Sequence, residues 1–154
     1  MSKPIMTREE FMQYQSYFNT MQYDQVVSYF NPSCTVEYMD NFSWGEQPVP
    51  EMARGPEEFI KRYVALHANF KEVLILGMFL SDDKNMIVEF QTEFFAKHDG
   101  HFHGVPVKKG ECMAVNQFCV YDFDENGKFA RIRISHHRVV SNNPGFKPIH
   151  SLED

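Results

Sequence analysis

No run in this chain approaches the roughly 18 consecutive apolar residues that a membrane-spanning helix requires. The opening stretch, MSKPIMTREE, also carries no apolar signal core. Cysteine is scarce: Cys34, Cys112 and Cys119 are an odd number, and each lies within an apolar strand-like run rather than at the loop spacings of a disulfide framework. Buried thiols in a reducing compartment are therefore expected, and with them a cytoplasmic protein. Basic clusters are missing too. The formal net charge is −6 and the lysines and arginines are scattered, which argues against a nucleic-acid or anionic-membrane partner. There is no internal repeat and no low-complexity block, and 154 residues fit one ordinary domain that needs no metal or disulfide staple.

Aromatic rings are abundant instead. They make up 15% of the chain, with 15 Phe and 7 Tyr, a composition that suits a cavity walled by rings around a small, apolar organic ligand. A core that simply uses phenylalanine fits the same count.

Thr7 followed by Glu10 is a capping box that starts a helix at Arg8, and Phe11, Tyr14, Phe18 and Met21 recur on one face of it. A second short helix covers Tyr23 to Phe30 and stops at Asn31-Pro32-Ser33, since proline cannot continue a helix. The strand Cys34 to Asp40 follows, and residues 41–54, with Trp44, Gly45, Pro48 and Pro50, read as a long loop. Gly55-Pro56-Glu57-Glu58 opens a third helix, with Phe59, Ile60, Tyr63, Val64 and His67 as its inward stripe, ending near Asn69. Beyond it the pattern is strands: 71–80, 85–97, about 104–122 with a break at Pro106 or Gly110, and 128–139. The connections between them are hairpin turns, so the sheet should be mainly antiparallel. Residues 1–140 are read as one domain and 141–154 as an irregular tail.

Strand alternation selects the candidate chemistry. Cys34, Val36, Tyr38 and Asp40 share a face that is apolar until it ends in a phenol and a carboxylate. A carboxylate held among apolar groups gains basicity, which makes Asp40 a candidate base or acid; a solvated strand-end aspartate is the plain alternative. On the last strand Ala130, Ile132 and Ile134 turn inward and carry His136 with them, unless a bulge puts His137 there instead. Gln117 and Cys119 share the inward parity of the preceding strand, where the amide could hold a substrate oxygen and the thiol fills space. His98, His101 and His103 crowd a hairpin, but no closed ligand set accompanies them and no metal is expected. Glu89, Gln91 and Glu93 alternate as a solvated or interface face would.

Helices first, one strand, another helix and then an antiparallel meander is the order of the nuclear transport factor 2-like (NTF2-like) proteins. Tyr23-Asp24 before a helix ending Tyr29-Phe30, Gly55-Pro56, the Tyr121-to-Phe129 hairpin, and Gly104, Pro106 and Gly110, similar to a stretch of SnoaL-type cyclases, carry this resemblance over roughly residues 7 to 140. It implies a cone-shaped α+β barrel, with N-terminal helices packed on a strongly curved sheet. It also implies a ligand-binding mouth, acid–base chemistry without a cofactor, and a homodimer through the outer sheet face. Tyr14 takes the place of the helical tyrosine of ketosteroid isomerases, whose base falls on Tyr38 and whose second oxyanion acid falls on Cys119. Tyr38 also matches a water-polarising tyrosine of scytalone dehydratase, but the tyrosine–aspartate pair of that enzyme falls on Phe18 and Asn19. The aspartate–arginine–aspartate set of the epoxide hydrolases is not evident.

The reading is thus a cofactor-independent isomerase, cyclase or dehydratase acting on a mostly apolar natural-product intermediate, with Tyr38, Asp40, His136 and Tyr14 as catalytic candidates. Phe18, Trp44, Tyr63, Gln117, Cys119 and Ile134 are its candidate substrate contacts. Epoxide opening on the same fold, or a binding module without catalysis, are the alternatives.

Overall fold

The computed structural model describes residues 3–39 and 51–154, and of Glu51 the backbone alone. Helix α1, Arg8–Asn19, starts on the capping box: Thr7 Oγ1 accepts from Glu10 N at 3.2 Å and Glu10 Oε2 accepts from Thr7 N at 2.7 Å. Its buried face is Phe11, Tyr14 and Phe18. Met21 leaves the expected stripe and is exposed, because the helix has already ended and Met21 turns the chain at φ 57°. Asn19 pins the helix end to the sheet, its amide donating to Leu74 O at 3.0 Å and accepting from Leu74 N at 2.8 Å.

Helix α2 is shorter than expected, Tyr23–Val27, and strand β1 spans Phe30–Tyr38. The Asn31-Pro32-Ser33 segment therefore begins the strand rather than ending the helix. Proline has no N–H to give the ladder, and β1 slips register against its neighbour between Phe30 and Thr35. The end of the expected loop is also a strand: β2, Glu51–Arg54, pairs antiparallel with β1, setting Ala53 opposite Val36. Helix α3, Gly55–Asn69, follows immediately. Gly55 sits at φ +80°, and a Cβ there would lie 3.2 Å from Pro32 O, so this junction is reserved for glycine. Buried on α3 are Phe59, Tyr63 and His67, four residues apart; Val64 falls off that stripe and is exposed.

Strands β3 (Phe70–Ser81), β4 (Asn85–Ala96), β5 (Gly100–Phe102), β6 (Val105–Val107), β7 (Cys112–Phe123) and β8 (Phe129–Val139) complete the chain. The main sheet runs β2-β1-β8-β7-β4-β3, antiparallel throughout except for β1 beside β8. The long third segment of the sequence pattern is divided, with β5 and β6 forming a separate hairpin and β7 starting only after Gly110, at φ +85°. Three helices cover the concave face of the sheet, whose inward rows include Cys34, Val36 and Tyr38, then Ile132, Cys119 and Tyr121, then Val88 and Phe90. Phe11 meets Tyr14, Phe79, Phe90 and Tyr121 at ring separations of 5.5–5.8 Å and closes one end of this core.

On the convex face Arg131 pairs with Glu37 at 2.8 Å, and Arg133 with Asp122 at 2.8 Å. Glu93 lies on this face too, yet it is not solvated. Residues 141–154 contain no helix or strand, but they lie across the sheet there. The Glu93 carboxylate accepts the backbone N–H groups of Ile149 at 2.8 Å and His150 at 2.9 Å and has no exposed surface. Lys71 Nζ ties down the same segment through Ser151 O and Asp154 O. Glu89 and Gln91 on the same row keep partial exposure, and Glu93 alone departs from a solvated face, because alternation identifies a face, not what covers it. No helix among the described residues is long and apolar enough to cross a membrane.

Candidate functional site

Among the described residues, two connected spaces lie between the helices and the concave face. The inner one, about 30 Å³, is lined by Tyr14, Phe18, Cys119 and Tyr121, among others. The outer one, about 100 Å³, is lined by Tyr38, Arg62, Phe102, His103 and His136. Tyr63, Glu72, Gln117 and Ile134 border both, and so form the neck between them. The inner volume holds about one water molecule. Any organic ligand reaching Tyr14 must therefore displace side chains, whereas the outer space is already open.

The sequence candidates divide accordingly. Tyr14, Phe18 and Cys119 line the inner space, Tyr63, Gln117 and Ile134 the neck, and Tyr38 and His136 the outer space. Tyr14 lines the inner space alone and Tyr38 the outer space alone. Asp40 and Trp44 lie outside the described residues. His136, and not His137, turns inward, because the irregularity in the β7–β8 ladder falls after the Gln117–His136 pair. His137 packs against Phe118 on the opposite face, with ring centroids 5.2 Å apart.

The phenols form a local system. Tyr38 donates its hydroxyl proton to the Tyr63 oxygen at 3.0 Å, and the Arg62 guanidinium lies 3.7 Å from the centre of the Tyr38 ring, a cation–π contact. Burial raises the pKa of Tyr38, and the Arg62 charge and the Tyr63 hydrogen bond only partly oppose it. Tyr63 and Tyr14 are pushed well above the ordinary phenol value, again by burial first. All three are neutral hydrogen-bond donors at physiological pH, not bases. The Cys34 thiol, raised to about 12 by burial, is no nucleophile either.

Among the described residues one carboxylate lines both spaces, and its sequence context does not single it out. Glu72 enters at the start of β3, opposite Phe94 and on the parity of Leu74, and its side chain is only 6% exposed. Its Oε2 lies 2.8 Å from His67 Nε2, and His67 Nδ1 lies 2.6 Å from the Tyr23 hydroxyl. Helix α3 thus supplies His67 from its last turn, and the strand directly following supplies the partner five residues later. His67 sits on the inward stripe and Glu72 shares parity with buried residues, but neither local pattern pairs the two. Their meeting depends on the sharp turn from α3 into β3.

Arg62 and His103 also line the outer space, although no sequence pattern marks them as cavity residues. The β5–β6 hairpin folds over the mouth, burying Phe102 against Phe70 and Phe94 and bringing the His103 ring to 6.4 Å from that of His136. His98 instead contacts Asn69 Oδ1 at 2.7 Å. Among the described residues no three His, Cys, Asp or Glu side chains gather as a metal site requires.

Solved structures with this architecture settle the fold. A SnoaL-like polyketide cyclase from Agrobacterium tumefaciens superimposes at a TM-score of 0.63 and 14% identity, covering 83% of this chain and 88% of its own. The fold is the NTF2-like α+β cone. An NTF2-like protein of unknown function from Burkholderia pseudomallei matches at 0.61 and 14% identity, covering 80% and 85%. An epoxide hydrolase/cyclase-like enzyme of pyran ring formation in the polyether salinomycin matches at 0.58 and 17% identity, covering 82% and 86%. No protein-family model and no curated protein matches the sequence. The NTF2-like cone accounts for the helices on the concave face and for the cavity beneath them; the chemistry has to be argued from the side chains.

Proposed function

We propose that this chain is a cofactor-independent isomerase, cyclase or dehydratase that works by acid–base chemistry on a small, mostly apolar organic molecule. The observation that carries the reading is Glu72: a nearly buried carboxylate at the neck of a ring-lined cavity, oriented by a buried histidine. A base in such surroundings is shielded from water, which strengthens its interaction with a substrate proton. Tyr63 accepts from Tyr38 and so keeps its own hydroxyl proton to donate to a substrate oxygen on which negative charge develops. Gln117 offers an amide on the opposite wall, and His136 and His103 stand at the mouth, where a leaving oxygen could be protonated. In this scheme Glu72 takes the role first assigned to Asp40, and Tyr14 shapes the inner end.

Epoxide opening is the second reading. It is favoured by the same pairing of a phenol donor, which would polarise the epoxide oxygen, with a carboxylate, which would activate water. The thiol state of Cys34, Cys112 and Cys119 supports work in a reducing compartment such as the cytoplasm. We further propose a homodimer through the convex sheet face, where Leu80 and Ile87 pair across β3 and β4 and are 58% and 39% exposed. Light scattering should give twice the chain mass, and a monomer at micromolar concentration would overturn that assignment.

The function is tested with a panel of enones, β-diketones and epoxides, following turnover by mass spectrometry and binding by calorimetry. Conversion by the wild-type protein that Glu72→Gln loses, with binding retained, is the expected result. Binding without conversion of any member would favour a binding module.

A further inference from the structure

A cavity that a substrate fills is closed to water, yet a base that has taken a proton must pass it on unless it returns that proton to the same molecule. Tyr23 lies on neither cavity wall. It is half-buried on α2, its ring stacked on His67 at 5.8 Å and 16°, and its hydroxyl lies 2.6 Å from Nδ1. His67 is 4% exposed and reaches solvent only through its neighbours. We propose that Tyr23, His67 and Glu72 form a proton relay from the cavity neck to the α2 surface, a route separate from the mouth by which substrate enters. The proposal rests on Glu72 being the cavity's acid–base group.

The relay has two end states, each with every bond of the chain made. With Glu72 ionised, Tyr23 O–H donates to Nδ1 and Nε2–H donates to the Glu72 Oε2. With Glu72 protonated, its Oε2–H donates to Nε2, Nδ1–H donates to the Tyr23 oxygen, and the Tyr23 hydroxyl donates to surface water. Passing from the second state to the first breaks the Glu72 O–H, His67 Nδ1–H and Tyr23 O–H bonds. It forms the His67 Nε2–H bond, a new Tyr23 O–H bond and one bond to water, so one proton leaves and no heavy atom moves. Only a histidine, whose two nitrogens exchange donor and acceptor roles, can occupy the middle position.

Among the described residues, several elements bring groups to face this chain. Tyr63 lies 5.6 Å from the His67 ring on α3, Phe18 closes it from α1, and Lys97 donates to the His67 carbonyl. Around Glu72 stand Tyr38 from β1, Arg62 and Tyr63 from α3, Gln117 and Cys119 from β7, Tyr14 from α1, Tyr121 from β7, and His103 and His136 at the mouth.

The test needs no substrate. In full-length protein labelled with ¹⁵N-histidine, the exchange of the His67 ring N–H with water is measured for the wild type and for Tyr23→Phe. The phenylalanine keeps the stacked ring and removes the relay oxygen. The backbone amides of His67 and Glu72 report structural opening. A relay predicts ring N–H exchange slower by about tenfold or more in Tyr23→Phe, with the amides unchanged. Exchange that is unchanged, or that accelerates together with the amides, would show that Tyr23 is merely structural and overturn the relay. Either failure leaves the Glu72→Gln turnover test standing, so the two claims can fail separately.

Discussion

Replacing His67 by leucine should be among the most destabilising single changes in this chain, and the structure supplies the magnitude. His67 and Glu72 have side chains 4% and 6% exposed and meet at 2.8 Å. His67→Leu leaves a carboxylate among rings with its principal partner gone, and breaking a buried pair in this way costs about 3–5 kcal/mol. For a domain of this size each kcal/mol moves Tm by roughly 2–4 °C, so Tm should fall by about 6–20 °C. Glu72→Leu strands only an imidazole and should cost roughly 1–3 kcal/mol. The double variant should lose much less stability than the sum of the two single losses, because two leucines fill the space with no stranded polar group. Urea unfolding of all four proteins at one pH, with linear extrapolation, measures the coupling. Losses that add within about 0.5 kcal/mol would refute the pairing on which the site is built.

Other expectations follow from the tail and the phenols. Glu93→Gln puts an amide where two backbone N–H groups converge, so hydrogen-exchange protection at Ile149 and His150 should disappear while β4 stays protected; unchanged protection would remove Glu93 as the anchor. Burial raises the folded pKa values of Tyr14, Tyr63 and Tyr121 well above the ordinary phenol value of about 10. Their contribution is therefore fully present below pH 10 and is lost as pH rises through the raised values. Absorbance at 295 nm should show these phenols ionising together with unfolding, and ionisation in the still-folded protein would contradict their burial.

Much of the scaffold was legible because its signals are local. The Thr7–Glu10 box marks a helix start by two short hydrogen bonds, and the parity of Cys34, Val36 and Tyr38 follows from the pleat. Even the choice between His136 and His137 needed only the position of one bulge. Glu72 was hidden for the opposite reason. A single glutamate at the start of an apolar strand looks like a solvated end, and only the α3–β3 junction turns it toward His67. Residues 51–54 carry no alternation strong enough to announce β2, which exists because β1 offers it an edge. His103 and Phe102 reach the mouth because a hairpin folds back over it, a long-range contact that spacing does not encode.

The central claim is that Glu72 moves the proton. Its most direct test compares wild type and Glu72→Gln on one substrate that the panel shows to be converted, measuring kcat by mass spectrometry and Kd by calorimetry. Loss of a positioned acid–base group predicts a kcat lower by about 10²–10⁴-fold, with Kd changed by less than about threefold, or 0.65 kcal/mol. A Glu72→Gln protein that turns over at the wild-type rate would contradict the account.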